Sequence, residues 1–173
     1  SDMNGSPTAT FRPTRGASPV LYGPDERLPV GGSKVLRESR DDPVLLAGAG
    51  VTVHACLEAA QKLADRGLPA RVIDLYSVTP LDEEGLVAAA RAAGRRVVVV
   101  EDHYPEGGLG EAALTALSHA YELFRVEHLA VRDLPGSGTP QELMQAAGIA
   151  AGDVEAAALR LLGGRGEERL AQP

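Results

Sequence analysis

The densest group of chemically capable side chains is the segment Glu101-Asp102-His103-Tyr104-Pro105-Glu106-Gly107-Gly108-Leu109-Gly110-Glu111. Its carboxylates and imidazole could transfer protons, and its backbone amides could bind an anion at a helix N-terminus. It follows Val97–Val100, a β-branched run typical of a central strand. Ligands of open α/β sheets gather at the carboxyl ends of strands, which favours a functional role. The alternative is structural: the glycines allow a sharp turn and close packing, and Asp102 and Glu106 cap neighbouring amides.

A second candidate, Gly48-Ala49-Gly50, lies between a buried strand and a helix, where dinucleotide-binding proteins carry a glycine-rich phosphate loop. Asp74, at the end of the next strand, would then be the acid that binds the ribose. Val53 stands where the third glycine of that pattern belongs, and its Cβ would obstruct the close approach of the helix. We therefore favour a tight strand-to-helix turn in which Thr52 is the helix N-cap.

The other reactive side chains are scattered. His54, His119 and His128 lack a carboxylate or cysteine at ligand spacing, which favours structural roles. Cys56 falls within an apolar helical stripe and is expected to pack as a small hydrophobic residue. The loop Pro135–Pro140 lacks the lysine of a phosphate loop, and no metal-binding motif occurs. The sequence therefore predicts no metal site.

These side chains depend on alternating strands and helices to bring them together. Short apolar runs predict buried strands near Val44–Ala47, Arg71–Tyr76, Val97–Val100 and Val126–Val131, with helical periodicity after each. Such alternation predicts an α/β three-layer sandwich, in which a mostly parallel five-stranded sheet carries helices on both faces. No helix precedes Ser33–Arg37, which is predicted to be an antiparallel edge strand.

Composition and charge exclude several classes of partner. The 173 residues fit one domain, and 24 Asp plus Glu against 17 Lys plus Arg give a net charge of −7 that repels nucleic-acid phosphates. No apolar run approaches the roughly 20 residues that a bilayer requires, and no signal-peptide core follows Ser1. The one cysteine is typical of a reducing compartment. We expect a cytoplasmic protein with no nucleic-acid or membrane partner.

Several segments, read in order, resemble the C-terminal domain of transketolase. They are Gly48–His54, Arg71–Asp74, Thr79–Asp82, Val100–Glu111, His128–Val131, Ser137–Leu143 and Gly148-Ile149. The Glu-Asp-His-Tyr-x-Glu-Gly-Gly-x-Gly-Glu block is the specific one, and it fits the animal-like branch best. Related thiamine enzymes, namely 1-deoxyxylulose-5-phosphate synthase and the beta subunits of 2-oxoacid dehydrogenases, share the domain but fit the surrounding residues less well.

The resemblance implies a three-domain homodimeric enzyme that uses thiamine diphosphate and Mg²⁺ to transfer a two-carbon ketol unit from a ketose phosphate to an aldose phosphate. In that family, the metal and diphosphate are bound by a Gly-Asp-Gly motif that this sequence lacks. We therefore expect the chain to bind no cofactor, to be inactive alone and to support the dimer. Its partners would be the first and second domains, in the same chain or in a separate subunit.

The same resemblance assigns domain boundaries and site residues. Residues 1–33 are expected to form an irregular arm from the end of the pyrimidine-binding domain, residues 34–162 the C-terminal domain, and residues 163–173 a flexible tail. Arg12 resembles a family arginine that binds the substrate phosphate, and no residue is expected to be catalytic. The residues expected at an interface, or supporting the active site from behind, are Glu101, Asp102, His103, Glu106, Gly107, Gly108, Gly110 and Glu111.

One alternative belongs to a different functional class. The same fold could be a free-standing regulatory module that binds an anion or a nucleotide at the carboxyl ends of the strands. A further possibility is an interaction subunit that completes a separately encoded partner carrying the first two domains.

Overall fold

A computed structural model describes residues 22–103, 105–132 and 136–170. Within these residues, five strands form one sheet flanked by five helices. In chain order the elements are β1 (Lys34–Arg37), β2 (Leu45–Gly48), α1 (Thr52–Asp65), β3 (Arg71–Asp74), α2 (Glu83–Ala92), β4 (Arg96–Val100), α3 (Leu109–Ser118), β5 (Arg125–Leu129), α4 (Pro140–Ala147) and α5 (Ala151–Leu170). The prediction of an α/β sandwich with a mostly parallel five-stranded sheet is confirmed.

The strand order is β1-β3-β2-β4-β5. Strands β3, β2, β4 and β5 pair in parallel, whereas β1 pairs with β3 in the antiparallel sense, with Lys34 opposite Asp74. The predicted antiparallel edge strand is thus confirmed. The chain runs from β2 to β3 on one side and then crosses to β4 on the other, so the order reverses between β2 and β4. That crevice is where open α/β sheets usually bind ligands.

Helices cover both faces of the sheet. Leu46 and Val98 pack with α1 and α5 on one face, while Leu45 and Val97 pack with α2 and α3 on the other. Consecutive side chains of a strand point to opposite faces, so a strand covered on both sides must be apolar throughout. This explains the unbroken valine run of β4, which is completely buried. No helix within the described residues is long and apolar enough to cross a membrane.

The last helix departs from the sequence prediction. An apolar stripe in the sequence predicts a last helix over Asp153–Leu162, whereas α5 spans Ala151–Leu170. Extending an existing helix costs far less than nucleating one, so helical hydrogen bonding can continue past the end of the apolar stripe. The predicted end at Leu162 is therefore wrong for the helix, and the predicted flexibility of residues 163–173 stays a prediction.

Candidate functional site

The candidate residues come together at the carboxyl edge of the sheet. Strands β2, β3 and β4 end at Gly48, Asp74 and Val100, and Glu101 follows directly. Because these three strands are parallel neighbours, their ends lie side by side. The Glu101–Glu111 loop, meaning residues 101–111, therefore begins at the expected edge of the sheet.

Glu101 connects the start of this loop to the first turn of α3 through buried hydrogen bonds. Its side chain is buried, with only 2% of the residue exposed. One carboxylate oxygen accepts a hydrogen bond from the Leu109 amide at 2.7 Å, and the other accepts from the Gly110 amide at 3.2 Å. Both amides belong to the first turn of α3, whose dipole favours a negative charge there. The principal amide cap is therefore Glu101, where sequence reasoning assigned the caps to Asp102 and Glu106.

His128 completes the environment of Glu101. Its Nε2 lies 2.5 Å from Glu101 Oε1, although the two residues are 27 positions apart in the chain. The parallel pairing of β4 with β5 sets His128 beside Val99 and so brings the imidazole to the carboxylate. The sequence shows no carboxylate at ligand spacing from His128 or His119, yet each imidazole lies beside one in the structure. His119 Nδ1 lies 3.2 Å from Glu83 Oε2.

Two glycines make this close packing possible. A Cβ at Gly108 would lie 2.1 Å from Glu101 Oε2, and one at Gly110 would lie 1.9 Å from His128 Nε2. Real Cβ atoms do not approach other atoms so closely, so a side chain at either position would displace the buried pair. The spacing of the glycines is the feature of the sequence that could have indicated this close packing against Glu101 and His128. The structural interpretation of the glycines therefore holds for Gly108 and Gly110.

The described side chains between Glu101 and Gly107 face outward. His103 and Glu106 are exposed and Asp102 is half-buried, with His103 Nε2 at 3.4 Å from Asp102 Oδ1. The Glu111 carboxylate accepts a hydrogen bond from the Gly107 amide at 2.8 Å and so closes the turn before α3. The loop thus has an inner side that belongs to the domain and an outer side rich in carboxylates.

Thr52 links the ends of β2 and β4, at the crevice between them. This side chain is fully buried, and its Oγ1 accepts from the Ala49 amide at 3.0 Å while lying 2.8 Å from the Val100 carbonyl oxygen. The prediction that Thr52 caps α1 is wrong, because Val51 occupies that position. The Thr52 hydroxyl bonds instead to Ala49 in the preceding turn and to the Val100 carbonyl of β4. A side chain in the crevice, together with Val53 in place of a glycine, argues against nucleotide binding.

Cys56 and Asp74 lie next to this crevice. Cys56 is fully buried, as predicted for a small hydrophobic residue, and burial raises the pKa of its thiol to about 12. Asp74 is 4% exposed, and its Oδ2 accepts a hydrogen bond from the Tyr22 hydroxyl. Burial raises the pKa of Asp74, against the smaller opposing effects of Tyr22, His54 and Lys34. Because the Tyr22 hydroxyl already bonds to the Asp74 carboxylate, Asp74 is poorly placed to bind a ribose.

The described residues do not offer a site for a metal ion. No group of three or more His, Cys, Asp or Glu side chains comes together among them, and the oxygens of Glu101 are already used within the domain. A Mg²⁺ ion requires several oxygen ligands in near-octahedral geometry, so these residues do not fit it. Arg12, the predicted phosphate ligand, and Tyr104 lie outside the described residues.

Comparisons with known proteins give a consistent result. A family model described as "Transketolase, C-terminal domain" matches residues 31–154. The chain is 41% identical over 152 residues to transketolase-like protein 1 of Bos taurus, covering 88% of the chain and 25% of that protein. It is 41% identical over 139 residues to human transketolase, covering 80% of the chain and 22% of that protein. The chain thus spans about a quarter of the length of these curated relatives.

A solved structure is similar throughout the domain. It is described as a split gene transketolase, inactive beta4 tetramer, and it superposes with a TM-score of 0.75 at 40% sequence identity. The match covers 83% of this chain and 46% of that one.

Proposed function

Because the chain belongs to the transketolase C-terminal domain family, we propose that it is the third domain of an enzyme that transfers a two-carbon ketol unit from a ketose phosphate to an aldose phosphate. The observation that carries this proposal is the match across residues 31–154, together with 41% identity to human transketolase. The chain corresponds to about a quarter of that relative, so the remaining domains would supply the rest of the enzyme. Thiamine diphosphate and Mg²⁺ would bind to those domains.

The chain alone would be inactive. Three contacts support this part of the proposal: Glu101 bonds to α3 and His128, Thr52 bonds to the Val100 carbonyl at the end of β4, and Asp74 bonds to Tyr22. None of these groups is left facing an open site where substrate could react. Arg12 stays a predicted phosphate ligand for the complete enzyme, and a cytoplasmic location is part of the same proposal.

The role of the chain would be to support assembly with the first two domains and, through them, a homodimer. The outer side of the Glu101–Glu111 loop offers the exposed His103 and Glu106 beside Asp102, on a loop that Glu101 holds firmly. A firmly held loop loses little conformational entropy when it binds, which favours an interface. The similar split-gene protein is described as a tetramer, which is a precedent for assembly in this family.

Charge reversal on the loop tests this role. We expect Glu106→Arg to weaken association with a polypeptide carrying the first two domains of the same enzyme, measured by sedimentation velocity, without changing the thermal midpoint of the chain. Glu84→Arg is the matched control, since Glu84 is an exposed acid on α2. Equal association of the two variants would contradict the interface role of the loop. The coding sequence upstream of Ser1 would show whether those domains are in the same chain or in a separate subunit.

A further inference from the structure

The segment that precedes the sheet is fastened along the end of β3. Residues 22–33, the described part of the predicted N-terminal arm and here called the arm, make three hydrogen bonds with β3 and the segment that follows it. Gly31 donates its amide hydrogen to Ser77 Oγ at 2.9 Å, and Ser33 Oγ donates to Asp82 Oδ2 at 2.7 Å. The first contact along the chain is the hydrogen bond from the Tyr22 hydroxyl to Asp74 Oδ2. The arm is thus held near both of its ends.

The Tyr22 side chain contacts Lys34 as well as Asp74. Lys34 Nζ lies 4.9 Å from the centroid of the Tyr22 ring, within the range of a cation–π interaction, and also pairs with the Glu26 carboxylate. Lys34 is in turn the register partner of Asp74 between β1 and β3. The tyrosine therefore sits between a cation of the edge strand and a buried carboxylate.

Asp74 depends on this tyrosine. Its Oδ1 has no hydrogen-bond partner among the described residues, so the Tyr22 hydroxyl is the one described donor to a carboxylate whose residue is only 4% exposed. A buried acceptor that loses its donor bears the full cost of desolvation. The contact therefore stabilises the structure more than an ordinary surface hydrogen bond does, and its loss would loosen the attachment of the arm.

The course of the arm between its fastened ends is also tightly packed. A Cβ at Gly32 would lie 2.1 Å from the Tyr76 hydroxyl and 3.1 Å from the Pro29 carbonyl oxygen. Hydrogen bonds from the Glu26 amide to Gly23 O and from the Gly32 amide to Pro29 O shape the arm locally. The arm thus follows one defined path against the domain.

We propose that the Tyr22–Asp74 contact is a latch that fixes the path of the arm and thereby sets the position of the domain that precedes it. The second half of this inference rests on the proposed function, because it requires a preceding domain. Tyr22 and Asp74 are then positioning residues, which touch no substrate or cofactor. The partner that the latch serves is the second domain of the complete enzyme.

Hydrogen exchange of the 173-residue chain tests the latch itself. We expect Tyr22→Phe to raise the exchange rates of the Glu26, Gly31 and Gly32 amides by about tenfold or more, because the variant keeps the ring but removes the donor. Amides of β4 should keep their wild-type rates. Tyr121→Phe is the matched control, since Tyr121 is 96% exposed and its hydroxyl should have no effect. Unchanged exchange in the arm of Tyr22→Phe would overturn the latch.

A double variant shows whether the two side chains act together. In an Asp74→Leu background, Tyr22→Phe should change the arm's exchange rates by less than about twofold, because the bond is already absent. Effects that multiply instead would mean that Tyr22 acts through another group, and would overturn the assignment of Asp74. If Asp74→Leu does not fold, Asp74→Asn, which keeps an acceptor, should leave the arm more protected than Tyr22→Phe does.

The positioning role has a separate readout. Tyr22→Phe should weaken the association of the chain with the first two domains by about fivefold or more, and Tyr121→Phe should not. A latch seen by hydrogen exchange, with no change in association, would overturn the positioning half. If the wild-type chain does not associate at all, the proposed function fails, whereas the exchange experiment still decides whether the latch exists.

Discussion

Two buried carboxylates lie at the same edge of the sheet and differ in how many hydrogen-bond partners they have. Glu101 and Asp74 are 2% and 4% exposed, respectively. Glu101 accepts from two backbone amides and contacts an imidazole, so both of its oxygens are used. Asp74 accepts from one tyrosine hydroxyl, and its second oxygen has no partner among the described residues.

The difference lies in where the partners come from. The partners of Glu101 belong to α3 and β5, elements that are themselves part of the sandwich. The partner of Asp74 comes from the arm, 52 residues earlier in the chain. A carboxylate whose two oxygens both bond to packed elements links those elements through several hydrogen bonds. A carboxylate with one bonded oxygen depends on a single donor, here the Tyr22 hydroxyl. At the same edge of the sheet, Glu101 is thus bonded within the sandwich, whereas Asp74 is bonded to a side chain of the arm.

The largest effect is expected from Glu101→Ala. The variant leaves two buried amides and His128 without their acceptor, and we expect a loss of about 2–4 kcal/mol in the free energy of unfolding. The measurement is urea unfolding of the 173-residue chain. Glu106→Ala is the matched control on the exposed side of the loop and should change the stability by less than about 0.5 kcal/mol. Equal effects of the two variants would mean that Glu101 does not hold the loop.

The next effect tests the glycine that makes room for His128. Gly110→Ala places a Cβ against the imidazole and should cost about 1–3 kcal/mol in the free energy of unfolding. Gly152→Ala is the control, because a Cβ at that helical position meets no atom within 4 Å and should be neutral or stabilise by up to about 1 kcal/mol. Stabilisation by both substitutions would show that the ring can move aside freely.

The smallest effect concerns pH and the half-satisfied carboxylate. Because the pKa of Asp74 is raised in the folded state, the folded chain binds this proton more tightly than the unfolded chain does. The corresponding stability is present below the ordinary pKa of 3.8 and is lost as the pH rises through the folded-state pKa. The charged or titratable groups that interact with Asp74 are Tyr22 on the arm, Lys34 on β1, His54 and Cys56 on α1, and Tyr76 just after β3.

Unfolding free energies of the wild type and of the Asp74→Asn variant measure this effect. The wild-type free energy minus that of the variant should fall as the pH is raised from below 3.8. Other carboxylates titrate in both proteins and cancel in the difference. A difference that increases with pH would mean that Asp74 is stabilised as an anion, and would contradict the description of Asp74 as a buried carboxylate with an unpartnered oxygen.

Local sequence patterns predicted the fold and the position of the loop. The valine run of β4 and the apolar stripes of the helices predicted the sandwich. A strand buried on both faces is apolar throughout, and a helix buried on one face is apolar every three or four residues. The contact between Glu101 and His128 was missed because it depends on the register of β4 against β5, which no local pattern encodes. Thr52 was misassigned for a similar reason, since a threonine before an apolar helix suggests a cap, and its bond to the Val100 carbonyl depends on how β2 and β4 pair.

The most direct test of the account is an assay of two-carbon transfer by the purified chain. With thiamine diphosphate, Mg²⁺, a ketose phosphate and an aldose phosphate present, we expect no transfer by the chain alone. Transfer should appear when a polypeptide carrying the first two domains of the same enzyme is added. Transfer by the 173 residues alone would contradict the account, because it would require a catalytic site within this domain.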